Sequence, residues 1–318
     1  MKNVAERIVA LPPTQQAMLL QRLRQKASQP AANPPLADVP PDRWVVRYRQ
    51  NAQARLRLFC FSYAGGGASV FRSWPDGLPP EVEVCAVQLP GRENRLGEAP
   101  YTRITPLVAN MAEALYPYLD RPFAFFGHSM GALVSFEVAR QLRRMHDRQP
   151  VALYLAAYRA PQLPNPNIRI YHLPSEVFKV VLRADGIPET ILQNEELMQA
   201  MLPTLRADFE LCDTYKYKEE PPLDCPFWIF GGLEDIRISA ADLEGWPVHT
   251  SAACHLSMLP GSHFFLHSAQ DLLLAAISQS LEMQLNLPAR TERVSDQVLP
   301  VHSKDVTFGR VWSSAHSG

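Results

Sequence analysis

A serine flanked by two glycines is the residue of this sequence best placed for nucleophilic chemistry. Gly127, Ser129 and Gly131 form a Gly-x-Ser-x-Gly pattern, which follows an apolar run at 123–126 and precedes small and aliphatic residues with helical spacing. In such a strand–turn–helix, a sharp turn lifts the serine hydroxyl above the sheet, and the helix N-terminus favours negative charge beside it. The flanking elements argue against a chance pentapeptide in a loop. The pattern therefore predicts Ser129 as a nucleophile that attacks an acyl carbon.

A serine hydroxyl needs a base, and with this kind of turn the partners follow in the order serine, acid, histidine. His263 comes after a short apolar run and a Pro-Gly turn at 257–262, on a loop beyond a strand end. We predict His263 as the base, in preference to a buried structural histidine. For the acid we predict Asp235, which lies in the loop after the apolar run 227–230, with Glu234 as its nearest rival. A carboxylate in this position orients the imidazole and stabilises its cation.

The carbonyl oxygen of an attacked acyl group gains negative charge and needs hydrogen-bond donors. We predict the backbone N–H of Met130, directly after the serine, as one donor. The second predicted donor is the N–H of Ala64, on a glycine-rich loop at 61–69 that follows another apolar run. The glycines of this loop lack the spacing of either nucleotide-binding motif, and no lysine follows them.

Composition indicates which classes of partner and which cellular compartment to expect. The chain has 318 residues, 47% of them hydrophobic and 20% charged, and a net charge of −1, which gives no reason to expect nucleic acid or an anionic membrane. The sequence shows neither a signal-peptide pattern nor an apolar stretch of about 18 residues. Five cysteines, an odd number without a CxxC pair, predict neither a disulfide framework nor a metal cluster. We therefore expect no metal, no membrane span and a cytoplasmic protein.

Short apolar runs alternate with amphipathic helical stretches through the middle of the chain. Runs of four to eight residues without strict polar alternation are typical of parallel strands buried on both faces. Their alternation with helices predicts an α/β fold with a mostly parallel sheet, flanking helices and right-handed crossovers. The apolar runs lie at 56–62, 82–89, 123–126, 151–157 and 227–230, and the clearest helices between them at 106–119 and 131–144.

One long segment interrupts this alternation. From about 161 to 222 no strand-like run occurs, while 174–183 and 195–215 have helical patterns, which predicts an inserted helical lid.

The first forty residues contain one short amphipathic helix and then a proline-rich linker, and the last thirty are polar and aperiodic. The predicted organisation is a helix and linker at 1–40, a catalytic domain at 41–287 and a disordered tail at 288–318.

Five motifs together resemble the type II thioesterases, α/β-hydrolases that act beside nonribosomal peptide, polyketide and fatty acid synthases. The similarity runs from about Trp44 to Leu287. Two departures are Ser62, where members often have proline, and Ile236, where a proline usually follows the acid. The motifs lie at 61–68, 88–95, 126–132, 202–209 and 261–266.

The resemblance implies a function as well as a fold. It implies a triad of Ser129, Asp235 and His263, a mobile lid over an acyl channel, and hydrolysis of acyl groups from carrier-protein phosphopantetheine. The implied partner is an acyl or peptidyl carrier protein of a synthase, served by an editing or release enzyme. No cofactor is expected beyond the phosphopantetheine that the substrate itself carries.

Several alternatives stay open on the sequence alone. The same fold and triad serve carboxylesterases and lipases that act on oxygen esters, and chain-releasing terminal thioesterases, and the fold also occurs in non-catalytic docking proteins. Arg92 and Arg95 either meet a phosphate or a carrier's acidic helix, or are solvated loop residues. Ten apolar residues between Phe178 and Leu202 either line an acyl slot or pack the lid helices on the domain. The N-terminal helix packs on the domain itself or docks on a synthase.

Overall fold

The computed structural model describes residues 43–165, 169–184, 187 and 189–286. The helix and linker predicted at 1–40, and the tail predicted at 288–318, lie outside these described residues. Seven strands of the described chain form one sheet. They are β1 (Val45–Val46), β2 (Leu56–Phe61), β3 (Val82–Val87), β4 (Phe123–His128), β5 (Leu153–Ala156), β6 (Phe227–Gly232) and β7 (Cys254–Leu259).

The sheet has the strand order β1-β3-β2-β4-β5-β6-β7, and every neighbouring pair is parallel except β1 and β3. The prediction of a mostly parallel α/β sheet is therefore confirmed. The five apolar runs coincide with β2 to β6 to within two residues at each end. The short antiparallel strand β1 was not predicted, because Val45 and Val46 alone are too short to show a strand pattern.

Eight α-helices accompany the described strands, joined by several short 3₁₀ turns. Three of them flank the sheet, two as crossovers between β3 and β5 and one as the C-terminal helix, while Ala240–Leu243 and Phe265–Ser268 are single turns near the loops that carry the site. Among the described residues no helix is long and apolar enough to cross a membrane. The helices are α1 (Ile104–Leu115), α2 (Met130–His146), α3 (Ser175–Ala184), α4 (Glu189–Leu192), α5 (Glu195–Asp213), α6 (Ala240–Leu243), α7 (Phe265–Ser268) and α8 (Gln270–Asn286).

Alternate residues of each strand enter two different cores, one on each face of the sheet. Phe59 packs in the cluster that includes α1 and α2, whereas its neighbours Leu58 and Cys60 pack in the cluster that includes α8. This two-sided burial explains why the strands read as continuous apolar runs.

The helices α3, α4 and α5 are inserted between β5 and β6, and they share a core of their own. The apolar residues of this third cluster come almost entirely from the inserted helices, so packing among these helices accounts for most of them. Val180 by contrast is 58% exposed. The buried members are Ile170, Phe178, Leu182, Ile191, Leu192, Leu197, Met198 and Leu205.

Candidate active site

Ser129 lies at the sharp turn between β4 and α2. Its backbone has φ 54° and ψ −122°, an uncommon conformation for a residue with a side chain, and its N–H donates to the carbonyl of Ala156 at 2.8 Å. The turn requires glycine on both sides. A Cβ on Gly127 would lie 2.2 Å from the carbonyl oxygen of Gly131, and a Cβ on Gly131 would lie 2.2 Å from that of Phe61. The Gly-x-Ser-x-Gly spacing is thus a consequence of close backbone packing.

The structure brings the three predicted triad residues into one hydrogen-bonded chain. Nε2 of His263 lies 2.9 Å from Oγ of Ser129, and Nδ1 of His263 lies 2.8 Å from Oδ2 of Asp235. The three loops that carry them follow β4, β6 and β7, whose carboxyl ends meet at one edge of the parallel sheet. This arrangement can transfer a proton from the serine hydroxyl to the imidazole.

Asp235 is held by its backbone surroundings as well as by the histidine. Its side chain is fully buried, and Oδ1 accepts hydrogen bonds from the N–H groups of Arg237 at 2.8 Å and Ile238 at 3.2 Å. Burial acts to raise the pKa of this carboxyl, but the contacts with His263 and the two N–H groups outweigh it and hold the pKa below its usual value. Asp235 therefore stays a carboxylate. The rival Glu234 is exposed to solvent.

The two residues that carry the predicted oxyanion donors line the same cavity as Ser129 and His263. Met130 begins α2 directly after the serine, and Ala64 lies on the loop that follows β2. Beyond Ala64, Gly65 has φ +76°, and its N–H donates to Oδ2 of Asp208 at 2.7 Å. The hydroxyl of Ser62 donates to the carbonyl of Gly66 at 2.7 Å. The loop is thus held in place by buried polar contacts.

A cavity of about 310 Å³ opens beside Ser129 and His263 and extends beneath the inserted helices. Its walls are mainly apolar and come from the sheet edge, from α3 and from α5. Of the apolar lid residues considered from the sequence, Val181, Leu182 and Ile187 line this cavity. It can hold an acyl chain whose carbonyl carbon lies at the serine.

The comparisons with known proteins agree with this geometry. The family model described as "Thioesterase domain" matches residues 56–281, a span that includes the serine, the carboxylate and the histidine. The chain belongs to the thioesterase family. The predicted resemblance and the predicted activity class are therefore confirmed.

Two similar proteins and one solved structure show how far the likeness extends. This thioesterase is 47% identical over 251 residues to a Brevibacillus parabrevis protein named linear gramicidin dehydrogenase LgrE, covering 78% of this chain and 95% of that protein. It is 43% identical over 245 residues to the gramicidin S biosynthesis protein GrsT of Aneurinibacillus migulanus, covering 77% and 96%. The structure of the type II thioesterase BorB, from the borrelidin biosynthetic cluster, superimposes with a TM-score of 0.69 at 32% identity, covering 75% of this chain and 97% of BorB.

In this thioesterase, Arg92 and Arg95 fit neither alternative drawn from the sequence, which were contact with a phosphate or a carrier helix and exposure to solvent. Arg92 is 4% exposed and makes a two-pronged ion pair with Asp208 of α5, each nitrogen–oxygen distance being 2.8 Å. Arg95 is 1% exposed, pairs with Glu98 and lies over the ring of Trp44 at 4.3 Å. Buried and paired, they are neither solvated loop residues nor available to a phosphate or a carrier helix.

Sequence reasoning missed two supporting residues of the thioesterase site. One is Asp208, whose signal is a charge on the apolar face of an amphipathic helix, one turn after Leu205. The other is His128, which is fully buried and lies with Nε2 2.7 Å from the carbonyl oxygen of His263. Nothing in the sequence pattern indicated this contact.

Proposed function

We propose that this thioesterase hydrolyses acyl groups from the phosphopantetheine arm of a carrier protein, as an editing or release enzyme of a peptide or polyketide synthase. The observation that carries the proposal is the hydrogen-bonded chain of Ser129, His263 and Asp235 at the mouth of an apolar cavity. The association of GrsT with gramicidin S biosynthesis and of BorB with a borrelidin cluster supports the substrate class.

The first half of the proposed reaction acylates the serine. Oγ of Ser129 attacks the thioester carbon while Nε2 of His263, 2.9 Å away, takes the hydroxyl proton. The N–H groups of Met130 and Ala64 stabilise the oxyanion. When the C–S bond breaks, the imidazolium returns its proton to the departing sulfur. The products are free carrier thiol and an ester on Ser129.

The second half releases the acid. A water molecule attacks the ester carbonyl, His263 takes a proton from it, and the same two N–H groups stabilise the second oxyanion. The proton then passes to Oγ of Ser129 as the acyl–oxygen bond breaks. Asp235 stays ionised throughout, since its low pKa keeps it a carboxylate that orients Nδ1–H and stabilises the imidazolium.

The proposal needs no resident cofactor, because the phosphopantetheine arrives with the substrate. The name of LgrE contains a different activity, that of a dehydrogenase. The loop at 61–69 lacks the glycine spacing that holds a dinucleotide pyrophosphate. The hydrogen-bonded chain of serine, histidine and aspartate catalyses acyl transfer, with water as the final acceptor. Hydrolysis is therefore the function that the site supports.

The proposed partner is an acyl or peptidyl carrier protein, and the proposed compartment is the cytoplasm. All five cysteines are free thiols. Free thiols are the usual state in a reducing compartment such as the cytoplasm.

The deciding experiment compares carrier thioesters with oxygen esters of the same acyl groups. Acyl groups from acetyl to long-chain are loaded on a phosphopantetheinylated carrier and, in parallel, presented as oxygen esters of the same acyl groups. We expect kcat/KM on carrier thioesters to exceed that on the oxygen esters by at least 10-fold. Equal or greater rates on oxygen esters would instead identify a carboxylesterase. Consumption of NADPH or NADH with an acyl carrier would favour the activity in the name of LgrE.

A further inference from the structure

The polar contact between the inserted helices and the catalytic loops is concentrated at Asp208 of α5. This side chain is 2% exposed. Its Oδ2 accepts from the N–H of Gly65 at 2.7 Å and from Nη1 of Arg92 at 2.8 Å, and its Oδ1 accepts from Nη2 of Arg92 at 2.8 Å. One carboxylate on the lid therefore holds a backbone group of the glycine loop and the buried arginine of the loop after β3.

The contact falls next to the oxyanion donor. The N–H that donates to Asp208 belongs to the peptide group between Ala64 and Gly65. Because peptide groups are planar, fixing that N–H limits the rotation of the Ala64 backbone. The N–H of Ala64 is one peptide earlier. Arg92 extends the support in the other direction, since its Nη1 also donates to the carbonyl of Gly66 at 3.2 Å.

The packing of α5 on the glycine loop leaves the loop backbone little room to move. A Cβ on Gly65 would lie 2.6 Å from Cδ2 of Leu205, so the helix contacts the loop directly where the backbone has positive φ. On the next loop, Thr204 donates from its hydroxyl to the carbonyl of Gly91 at 2.6 Å. The helix turn from Thr204 to Asp208 thus contacts both catalytic-face loops.

The buried carboxylate of Asp208 depends on its pairing with Arg92 and Gly65. A buried carboxylate is costly to desolvate, and it is stable only when its partners satisfy both oxygens, as the guanidinium and the N–H do here. Displacing α5 would remove the carboxylate from Arg92 and from Gly65 at once. The two contacts of Asp208 are therefore lost together, whereas the bond from Ser62 to the carbonyl of Gly66 lies within the loop and does not depend on α5.

We propose that Asp208 is a positioning residue for the oxyanion hole, and that Arg92 holds Asp208 in place. Contact of α5 with the glycine loop then fixes the Ala64 N–H, so the inserted helices and the oxyanion hole are coupled through Asp208. This inference rests on the proposed function, because it assigns the Ala64 N–H to the oxyanion. It adds a link between the lid and the chemistry that the triad alone does not contain.

Two double variants isolate the Gly65 contact from the ion pair. Arg92→Met with Asp208→Asn removes both charges but keeps an amide oxygen that accepts from Gly65. Arg92→Met with Asp208→Leu removes both charges and the acceptor. Neither leaves a buried charge unpaired, so both are expected to fold. Glu210→Gln is the matched control, because Glu210 lies on the same helix and forms an exposed ion pair with Arg103.

Three measurements are made on the full-length protein: kcat and KM on an acyl-carrier thioester, the inhibition constant of an acyl trifluoromethyl ketone, and the melting temperature. The ketone forms an oxyanion on Ser129 and so reports the hole directly. We expect the Asp208→Leu double variant to have a kcat about 10–100-fold below that of the Asp208→Asn double variant, with KM changed less than threefold. Its ketone affinity should fall by a similar factor, and Glu210→Gln should match the wild type.

The outcomes separate this inference from the proposed function. Equal kcat and equal ketone affinity in the two folded double variants would overturn the positioning role, even with the thioesterase activity intact. A drop confined to KM, or one that tracks melting temperature alone, would also overturn it. Failure of the proposed function would appear elsewhere, as an inactive wild type on carrier thioesters.

Discussion

Nε2 of His128 lies 2.7 Å from the carbonyl oxygen of His263, so the residue before the serine donates to the backbone of the histidine that acts on it. His128 is fully buried among Tyr63, Phe264 and Phe265. Burial, and secondarily the charge of His263, hold the pKa of His128 well below the usual 6.5. A neutral ring at this position fixes the loop that carries the base.

That low pKa makes the folded state sensitive to acid. Below pH about 6.5 the unfolded chain binds a proton at His128 and the native chain does not, so stability falls as pH decreases. His249, with a pKa lowered to about 4 mainly by burial, acts in the same direction over the same window. Asp235 has a lowered carboxyl pKa and loses its contribution only at more acidic pH.

We therefore expect the free energy of unfolding, measured with denaturant from pH 7 to pH 5, to decline towards pH 5. His128→Gln keeps a donor for the His263 carbonyl but removes the titrating ring. It should reduce the slope, by at most about 1.4 kcal/mol per pH unit and most fully near pH 5, where the histidine of the unfolded chain is protonated. An unchanged slope would show that His128 is protonated in the native state or lies outside the folding unit.

The glycines of the nucleophile turn should not tolerate even one methyl group. Gly131→Ala places a Cβ 2.2 Å from the carbonyl oxygen of Phe61, a clash with backbone that no rotamer relieves. We expect destabilisation by more than about 3 kcal/mol, or no folded protein, by thermal and denaturant unfolding. Gly97→Ala is the control, since nothing lies within 4 Å of its Cβ. A stable, active Gly131→Ala variant would contradict the turn geometry.

The acid is tested by exchanging one atom in each of two neighbours. Asp235→Asn keeps the shape of the side chain but no longer enforces the tautomer of His263, and we expect kcat to fall by about 10²- to 10⁴-fold. Glu234→Gln should stay within about threefold of the wild type, because Glu234 is exposed. Steady-state hydrolysis of an acyl-carrier thioester measures both. The reverse pattern would make Glu234 the acid.

How much of the site followed from the sequence depends on whether its contacts are local. Ser129, with its glycines, strand and helix, forms one continuous stretch, so residue type and spacing were sufficient to predict where it lies. Asp235 and His263 follow apolar runs that end at one sheet edge, so their order in the chain was sufficient to predict that they lie near Ser129. Arg92 and Asp208 are 116 positions apart, and their pairing depends on how α5 lies on the sheet. No local pattern contains that information.

The same distinction applies to the lid. Its helices were predicted from periodicity, but their attachment to the domain was not. Thr204 and Asp208 bind α5 to the catalytic loops, and after α5 the chain is fastened to α2, where Tyr215 donates to Glu137. The side-chain bonds of α3 instead join it to other lid residues, as in the pair of Arg183 with Glu189.

These attachments predict an order of motion within the lid. In hydrogen exchange, amides of α3 should exchange faster than those of α5, and β4 should be the most protected. A non-hydrolysable acyl-phosphopantetheine analogue should slow exchange in α3 more than in β4, since Val181 and Leu182 line the cavity. Equal exchange in α3 and α5, with no response to the analogue, would mean that the insertion does not move as a lid.

The central claim is that Ser129 takes the acyl group from a carrier thioester, and rapid mixing followed by acid quench and intact-protein mass spectrometry tests it directly. The wild type should gain the mass of one acyl group, mapped to the peptide that contains Ser129, while the carrier loses it. Folded Ser129→Ala should show no adduct and leave the carrier acylated, with turnover reduced by about 10⁴-fold or more. More than a tenth of wild-type turnover in folded Ser129→Ala, or an adduct on another residue, would contradict the account.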